Sequence, residues 1–534
     1  MNLRIKREEA ENFLIFLLFG AALYYHVIAG NTPCPDAIWN GLFTKNSWEW
    51  EASLGRVFLR YWQSIFSWTA SAPIMTEISI GLYSISALLL IRLFEIKGRF
   101  WQILTGILVV IAVPSTWCTL TFYFCSAYYA GAYLMMIAGF YILERSKCHA
   151  VIRYVAAILL IVLSLGTYQA YLPLWMTLAV LWSIKLFSEE ESVIKIIIGV
   201  VDKIVCAAAG TGVYLIMVKI LQSKWGIVPE SSRGFDHIGE VGSAALPAQI
   251  GKCYFYFASY FLGTSFVNNG APIKRAIINA AVLTVIVLLL VFWLIKGKQK
   301  IVRKAGVVIA ILLLPLVMMS VVILAPGASV LGSTGALMLP TMGYVFLLLV
   351  MLVGMTDSGK EDVDKEVQIG IFDRIRSGLK LFSSVALFFS MVMLIQLAVD
   401  GQTYMYANLL KTTAVAEEMR TDLDREFGDV NSQKVMITGT METGNYPDRY
   451  EGLHERVSWT VASYGMIWKD YLSAQSIWNQ IFAQYLGSGF KKCSMDEYES
   501  IKETEEFKSM SDFPNEGSIK KIGDIIVVRL SDRY

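Results

Sequence analysis

Between Asn31 and Trp68 the chain reads NTPCPDAIWNGLFTKNSWEWEASLGRVFLRYWQSIFSW. The stretch gathers Asp36, Glu49 and Glu51, Arg56 and Arg60, and Trp39, Trp48, Trp50, Trp62 and Trp68. A carboxylate can take the proton of a hydroxyl, a guanidinium fork matches phosphate, and an indole offers a flat apolar face with one polar edge. Asp36 leads the carboxylates. It follows Pro33 and Pro35, which restrict the chain and can hold the side chain in one place. Glu49 and Glu51 are its rivals, because a loop this long can fold back. The plain alternative for Asp36 is capping of a helix that starts at Ala37.

The second half of the stretch reads as one helix. Leu54, Val57, Phe58, Tyr61, Trp62, Ile65 and Phe66 follow the i, i+3, i+4, i+7 spacing of an apolar face, and Arg56, Arg60, Gln63 and Ser64 fall opposite. It is too short and too polar to span a bilayer, so it is expected in the interface, with Arg56 and Arg60 one turn apart and facing one way. Neutralising anionic lipid is the other use of such arginines.

Composition sets the class. Of 534 residues 55% are hydrophobic and 17% charged, and the apolar residues come in long runs. Only helices or closed barrels satisfy the backbone in lipid, and these runs are too long for barrel strands, so the chain is expected to be a polytopic α-helical membrane protein. A net charge of +2 says nothing of nucleic acid, and the seven cysteines have no metal-type spacing and suggest no disulfide framework. Spans are expected at 12–30, 73–95, 100–117, 120–143, 151–167, 169–187, 200–222, 276–296, 303–324, 335–355 and 379–400, about eleven. The first has no cleavage signature and is expected to be retained. Lys97, Arg99, Arg145, Lys147, Lys185, Lys195, the 296–304 group and the 360–380 group all fall on one side, while the turns at 114–119, 166–170 and 325–333 carry no Lys or Arg. That asymmetry predicts a cytoplasmic N-terminus. The loops 31–72 and 223–274, and everything past residue 400, are then expected outside.

The 223–274 loop carries Lys224, Arg233, His237 and Lys252, then the aromatic run Tyr254, Phe255, Tyr256, Phe257, Tyr260 and Phe261. The run is expected to form a second interfacial or re-entrant helix closing over the first loop. The turn SLGTYQAYLP, 164–173, holds Tyr168, Gln169 and Tyr171 at membrane depth, where interhelical polar contacts are the plain alternative to a ligand role. The membrane part is therefore expected over 1–400. Residues 401–534 read as a soluble α/β domain with strands at 434–440 and 524–530; its Trp459, Trp468 and Trp478 suit a core better than a sugar platform.

The segments DAIWNG (36–41), WEASLGR (50–56) and GTYQAYL (166–172), behind an N-in first helix, resemble the type-II glucosyltransferases (Gtr, of the O-antigen serotype-conversion type), integral membrane enzymes of the GT-C class. The likeness runs to about residue 400. It departs from the family in having Pro35-Asp36 where paired acids are common, and in lacking an arginine in the turn 325–333.

The resemblance implies transfer of a hexose, glucose foremost, from a polyprenyl-phosphate donor to a glycan acceptor of the bacterial cell envelope, an O-antigen or cell-wall glycan, on the outer face of the plasma (inner) membrane. It implies a polyprenyl-phosphate glucosyl synthase and a flippase as pathway partners. On this reading Asp36, with Glu51 and Glu49 as rivals, is the general base of an inverting displacement. Arg56, Arg60, Lys224, Arg233 and Lys252 hold the donor phosphate, and Trp39, Trp50, Tyr168, Gln169 and His237 meet the acceptor or sugar. No metal site is assigned. Asp36, Glu49 and Glu51 can hold one hard divalent cation, magnesium or manganese, through oxygens, but arginine alone can stabilise a phosphate leaving group. A lipid-linked saccharide flippase or transporter is the alternative, for which charges near the midplane are expected. Here they are few, with Asp202 and Lys203 foremost, and charge concentrates in the external loops.

Overall fold

Every expected span falls on helical structure. The computed structural model describes residues 7–41, 48–189, 192–230, 245–263, 273–297, 299–325, 335–357, 371–441, 457, 467 and 471–531. In chain order the helices are α1 (Arg7–Leu23), α2 (Tyr25–Ile28), α3 (Pro35–Asn40), α4 (Glu49–Ser53), α5 (Leu59–Ile65), α6 (Ala72–Phe94), α7 (Arg99–Gly106), α8 (Pro114–Leu120) and α9 (Ser126–Arg145). They continue with α10 (Ala150–Leu165), α11 (Leu172–Ser188), α12 (Val193–Trp225), α13 (Leu246–Leu262), α14 (Ile273–Lys296), α15 (Ile301–Met318), α16 (Val321–Leu324), α17 (Tyr344–Asp357) and α18 (Ile371–Phe427). Among the described residues, seven helices are long and apolar enough to cross a membrane, or eight if the α7–α8 pair is one bent span. The protein is a helical membrane protein.

That bend replaces an expected turn. The segment Arg99–Ile111 and α8 meet at 52°. A π-helical turn at Ile107–Ile111 precedes the break, and Pro114 stands at the first position of α8, where its missing N–H breaks no bond. Thr116 donates its hydroxyl to the Val110 carbonyl at 2.6 Å across the break. Residues 114–119 are thus a fully buried helix inside the bundle and not a surface turn.

At one end of the bundle ion pairs tie together the start of α1, the end of α6, the start of α7 and the ends of α9 and α11. Arg92 donates twice to Glu9, both at 2.6 Å. Arg99 meets Glu11 at 2.9 Å, and Glu95 accepts from Arg145 at 2.8 Å and from Lys185 at 3.0 Å. Lys203 on α12 pairs with Glu144 on α9. Of the two foremost midplane charges, Asp202 and Lys203, the lysine is therefore paired with a carboxylate at the end of α9.

The aromatic run does form a helix, α13, and among the described residues it packs mainly against α14, α15 and α16. Its last carbonyls are capped from α14: Arg275 Nη2 donates to Tyr260 O at 2.8 Å and Asn279 Nδ2 to Phe261 O at 3.1 Å.

Beyond the bundle, α18 runs 57 residues without a break, about 86 Å, straight through residue 400. It leads to a four-stranded sheet of order β2-β1-β4-β3. The strands are β1 (Lys434–Thr438), β2 (Lys491–Lys492), β3 (Ile519–Ile522) and β4 (Ile525–Arg529). The two expected strands pair in parallel at the centre, Lys434 opposite Ile525, and β3 runs antiparallel to β4. Burial on both faces explains why β1 and β4 read as continuous apolar runs. Trp478 is fully buried, as expected of a core residue; Trp459 and Trp468 lie outside the described residues. The helix Tyr471–Tyr485 packs against α3 and α18.

A side-chain carbon added at Gly401 would overlap the Trp117 ring of α8, so Gly401 lets α18 close on the bundle, as small residues do between membrane helices. Gly401→Val is expected to lower stability by roughly 1–3 kcal/mol through overpacking. Thermal unfolding of the detergent-solubilised protein reads this, and an unchanged midpoint would refute it.

Candidate active site

Residues 54–66, expected as one helix, do not form one. Gly55 takes φ +79°, a left-handed conformation that other residues adopt at a cost, and it ends α4. Arg56 to Phe58 form a turn, and α5 starts at Leu59. The break rotates the second helix away from the expected wheel. Gln63, expected on the polar side, is 0% exposed, whereas Tyr61 at 45% and Ile65 at 68% are open.

The broken segment is held by partners from elsewhere in the chain. Gln222 of α12 donates to Ala52 O at 2.8 Å, and Gln169 donates to Leu54 O at 2.6 Å and to the Tyr214 hydroxyl at 2.9 Å. Tyr214 in turn donates to Gly55 O at 3.2 Å, and the Glu230 N–H to Ser53 O at 3.1 Å. The carbonyls of Ala52 to Gly55, where α4 gives way to the turn, are all engaged in this way. Phe58 N–H donates to Gly166 O at 2.8 Å, and a side chain at Gly166 would overlap the Phe58 ring. Trp62 Nε1 donates to the Thr167 hydroxyl at 3.0 Å. WEASLGR and GTYQAYL, distant in sequence, are two halves of one contact.

Arg56 sits in that contact. Its Nη1 donates to the Tyr129 hydroxyl at 2.8 Å. Its guanidinium lies 5.0 Å from the Tyr168 ring centre and 5.8 Å from that of Tyr129, and the two rings stack 4.4 Å apart. Its Nε is closed off from solvent without a hydrogen-bond partner. Burial alone pulls the guanidinium pKa down, but the Tyr129 and Tyr168 hydroxyls, Cys125 and the Glu51 carboxylate hold it above its ordinary value. The charge therefore persists at any physiological pH. A held cation with a buried, unused donor suits an oxyanion.

Arg60 goes elsewhere. Its guanidinium lies 4.0 Å from the Trp48 ring and 4.9 Å from Trp225 at the end of α12, so the two arginines do not share a face. Arg56 lies in the turn and only Arg60 in the helix.

Asp36 is half-buried on α3, in its first turn; Cys34 is the N-cap and Pro35 the first residue. The alternative of a cap at Asp36 is thus not met: Cys34 holds the N-cap position, without a side-chain cap bond, and a carboxylate in the first turn favours the helix through its charge. Cys125 is within electrostatic reach of both Cys34 and Arg56. Glu51 is 3% exposed and acts electrostatically on Arg56, while Glu49 is exposed and accepts from the Trp48 N–H at 3.0 Å. Among the described residues no three such side chains gather as a metal site, so Asp36, Glu49 and Glu51 form no oxygen cage. Their helices are separate, and Glu49 and Glu51, two apart, face opposite ways.

Trp39 and Trp50 are exposed, as are Lys224 and Lys252. Tyr168 is buried and Gln169 uses both amide protons on the scaffold. Arg233 and His237, and the turn 326–334, lie outside the described residues. Sequence reasoning missed Tyr129, Tyr214, Gln222 and Trp225. The last three sit on one apolar run, where a polar or amphipathic side chain near the span end was the available signal.

A family model described as Glucosyl transferase GtrII matches residues 40–351. Glu49, Glu51, Arg56, Arg60, Tyr168 and Gln169 lie inside the match, and Asp36 lies just before it. No curated protein and no solved structure matches the chain.

Tyr129→Phe removes the acceptor of a buried guanidinium and keeps the ring. It is expected to destabilise by roughly 1–3 kcal/mol, seen as a lower unfolding midpoint in detergent; equal stability would show that the bond carries no weight.

Proposed function

Because the chain belongs to the GtrII glucosyl transferase family, a family of glycosyltransferases, we propose that it moves a hexose, glucose foremost, from a polyprenyl-phosphate donor to a cell-envelope glycan on the outer face of a bacterial plasma membrane. The observation that carries this reading is Arg56, a permanent cation held by Tyr129 and Tyr168 with its Nε unused, at the end of the bundle opposite the ion-pair ring. A lipid-linked donor places its phosphate at that depth, with its chain among the apolar helices below.

The architecture proposed is GT-C-like, with eleven spans. They comprise the seven long helices together with α1–α2, α7–α8, α10 and α17. The N-terminus is cytoplasmic and the unit beyond residue 400 is outside. Alternation supports this, since the starts of α1 and α7 and the ends of α6, α9 and α11 share one ion-paired end, to which Lys203 of α12 is joined through Glu144. A polyprenyl-phosphate glucosyl synthase and a flippase would supply the donor.

In the proposed single inverting displacement, the acceptor hydroxyl attacks the anomeric carbon and the bond from that carbon to the phosphate oxygen breaks. The hydroxyl proton passes to a carboxylate, and polyprenyl phosphate leaves against Arg56. Asp36 is the proposed base. It is half-buried and can meet an acceptor, whereas Glu51 is closed in. Glu51 is the second reading, favoured by its place beside Arg56 and within the family match.

Asp36→Asn is expected to cut turnover at least about a hundredfold with donor binding kept. Normal turnover in Asp36→Asn beside a dead Glu51→Gln would hand the role to Glu51. For topology, Ser509→Cys, on the exposed surface of the C-terminal unit, is expected to react with an impermeant maleimide in intact cells. The native exposed Cys148 is expected to react only after permeabilisation. The reverse pattern would overturn the external site.

A further inference from the structure

The peptide unit between Gly55 and Arg56 is fixed at both of its polar ends. Its N–H, from Arg56, donates to Glu51 O at 2.8 Å, and its carbonyl, Gly55 O, accepts from the Tyr214 hydroxyl at 3.2 Å. The unit before it is held as well, since Gln169 Nε2 donates to Leu54 O at 2.6 Å. The same nitrogen donates to the Tyr214 hydroxyl at 2.9 Å, so Gln169 and Tyr214 form one relay against two successive carbonyls. Tyr214 is 2% exposed and Leu54 and Gly55 are buried, where a carbonyl that lost its donor would stay without one. Neither donor belongs to the segment it holds: Tyr214 stands on α12, and Gln169 in the turn between α10 and α11. Arg56 is the first residue past this clamp, and its guanidinium reaches away to Tyr129 on α9. An arginine is long, so a tilt of about 10° at its peptide carries the guanidinium roughly 1 Å, a misplacement that can cost about a hundredfold in rate. The bond to Tyr129 fixes the far end of the side chain. The relay fixes its root.

We propose that Tyr214 and Gln169 are positioning residues of the transfer: they hold the root of Arg56 so that its guanidinium meets the departing phosphate, and Gln169 serves the backbone and not the sugar. This rests on the reading of the site as a polyprenyl-phosphate hexosyltransferase with Arg56 as the phosphate cation. In the donor the phosphate is a diester with one negative charge. When the bond from the anomeric carbon to the phosphate oxygen breaks, its electron pair stays on that oxygen, and the monoester that leaves carries more charge than the diester did. Arg56 therefore counts most as the bond breaks, so a loosened root lowers kcat more than it raises donor KM.

The test uses the full-length protein in detergent, with glucosyl farnesyl phosphate as donor, envelope glycan of the source bacterium as acceptor, and farnesyl phosphate as a probe of the leaving monoester. The variants are Tyr214→Phe and Gln169→Met, each alone and combined with Arg56→Ala, and unfolding without ligand reports that each is folded. With Arg56 present, each is expected to lower kcat and to weaken farnesyl phosphate binding at least about tenfold, while donor and acceptor KM change less than about threefold. In the Arg56→Ala background neither is expected to lower kcat or farnesyl phosphate binding further, because residues that act through one group are not additive. Folded variants with the kcat of the wild type refute the positioning role. So does a loss of equal size in the Arg56→Ala background, which would show an action that does not pass through Arg56. A raised donor or acceptor KM with kcat kept, in Gln169→Met and not in Tyr214→Phe, hands Gln169 to the sugar and refutes its place in the relay. A wild type that neither uses the donor nor binds farnesyl phosphate overturns the polyprenyl-phosphate reading itself, and the positioning role with it.

Discussion

The candidate site depends on the capture of one broken helix end. When α4 gives way at Leu54 and Gly55, the carbonyls at the break lose the N–H groups that a further helical turn would supply, and in a protein whose surroundings are lipid and packed side chains such a deficit is costly. Gln169, Tyr214 and Gln222 supply the donors from two other helical segments. Because the donors come from two different places in the chain, the segment's position and rotation are fixed together. Arg56 follows directly from the break, so the same bonds that end α4 aim the guanidinium at Tyr129.

A charge placed this deep requires compensation. Tyr129 and Tyr168 give Arg56 one hydrogen bond and two aromatic faces, and neither brings a full negative charge that would compete with an anionic ligand. Tyr168 then meets Tyr171 edge-on at 5.1 Å, Tyr171 meets Tyr133 at 5.6 Å, and the Tyr133 and Tyr344 hydroxyls lie 2.8 Å apart. The aromatic support runs from the site into the centre of the bundle, a rigid foundation for a residue whose direction matters. Arg60, between Trp48 and Trp225, fastens the start of the same segment to α12.

The C-terminal unit is joined to this end of the bundle by packing and by chain continuity. The helix Tyr471–Tyr485 rests on α3, which carries Asp36, and α18 links sheet and membrane helices without a flexible joint. The family match ends at residue 351, so this contact brings a part of the chain beyond the matched region against the helix that carries the proposed base.

By itself the sequence determined the helical membrane class, the long apolar helices and the two central strands, because long apolar runs are local patterns. WEASLGR and GTYQAYL were legible as unusual polar segments in an apolar chain. That they touch was not legible, since a contact between residues 54 and 169 is a product of how α10 and α11 turn. The wheel for residues 54–68 assumed an unbroken helix. A glycine can pass through a helix or break it, and the donors on α12 and at Gln169 decide for the break. That decision turned Gln63 inward, parted Arg56 from Arg60 and chose Tyr129, a residue with no local mark, as the partner of the charge. Local periodicity can place a residue on a helix, but only tertiary hydrogen bonding decides which helix ends where, and so where its side chains point.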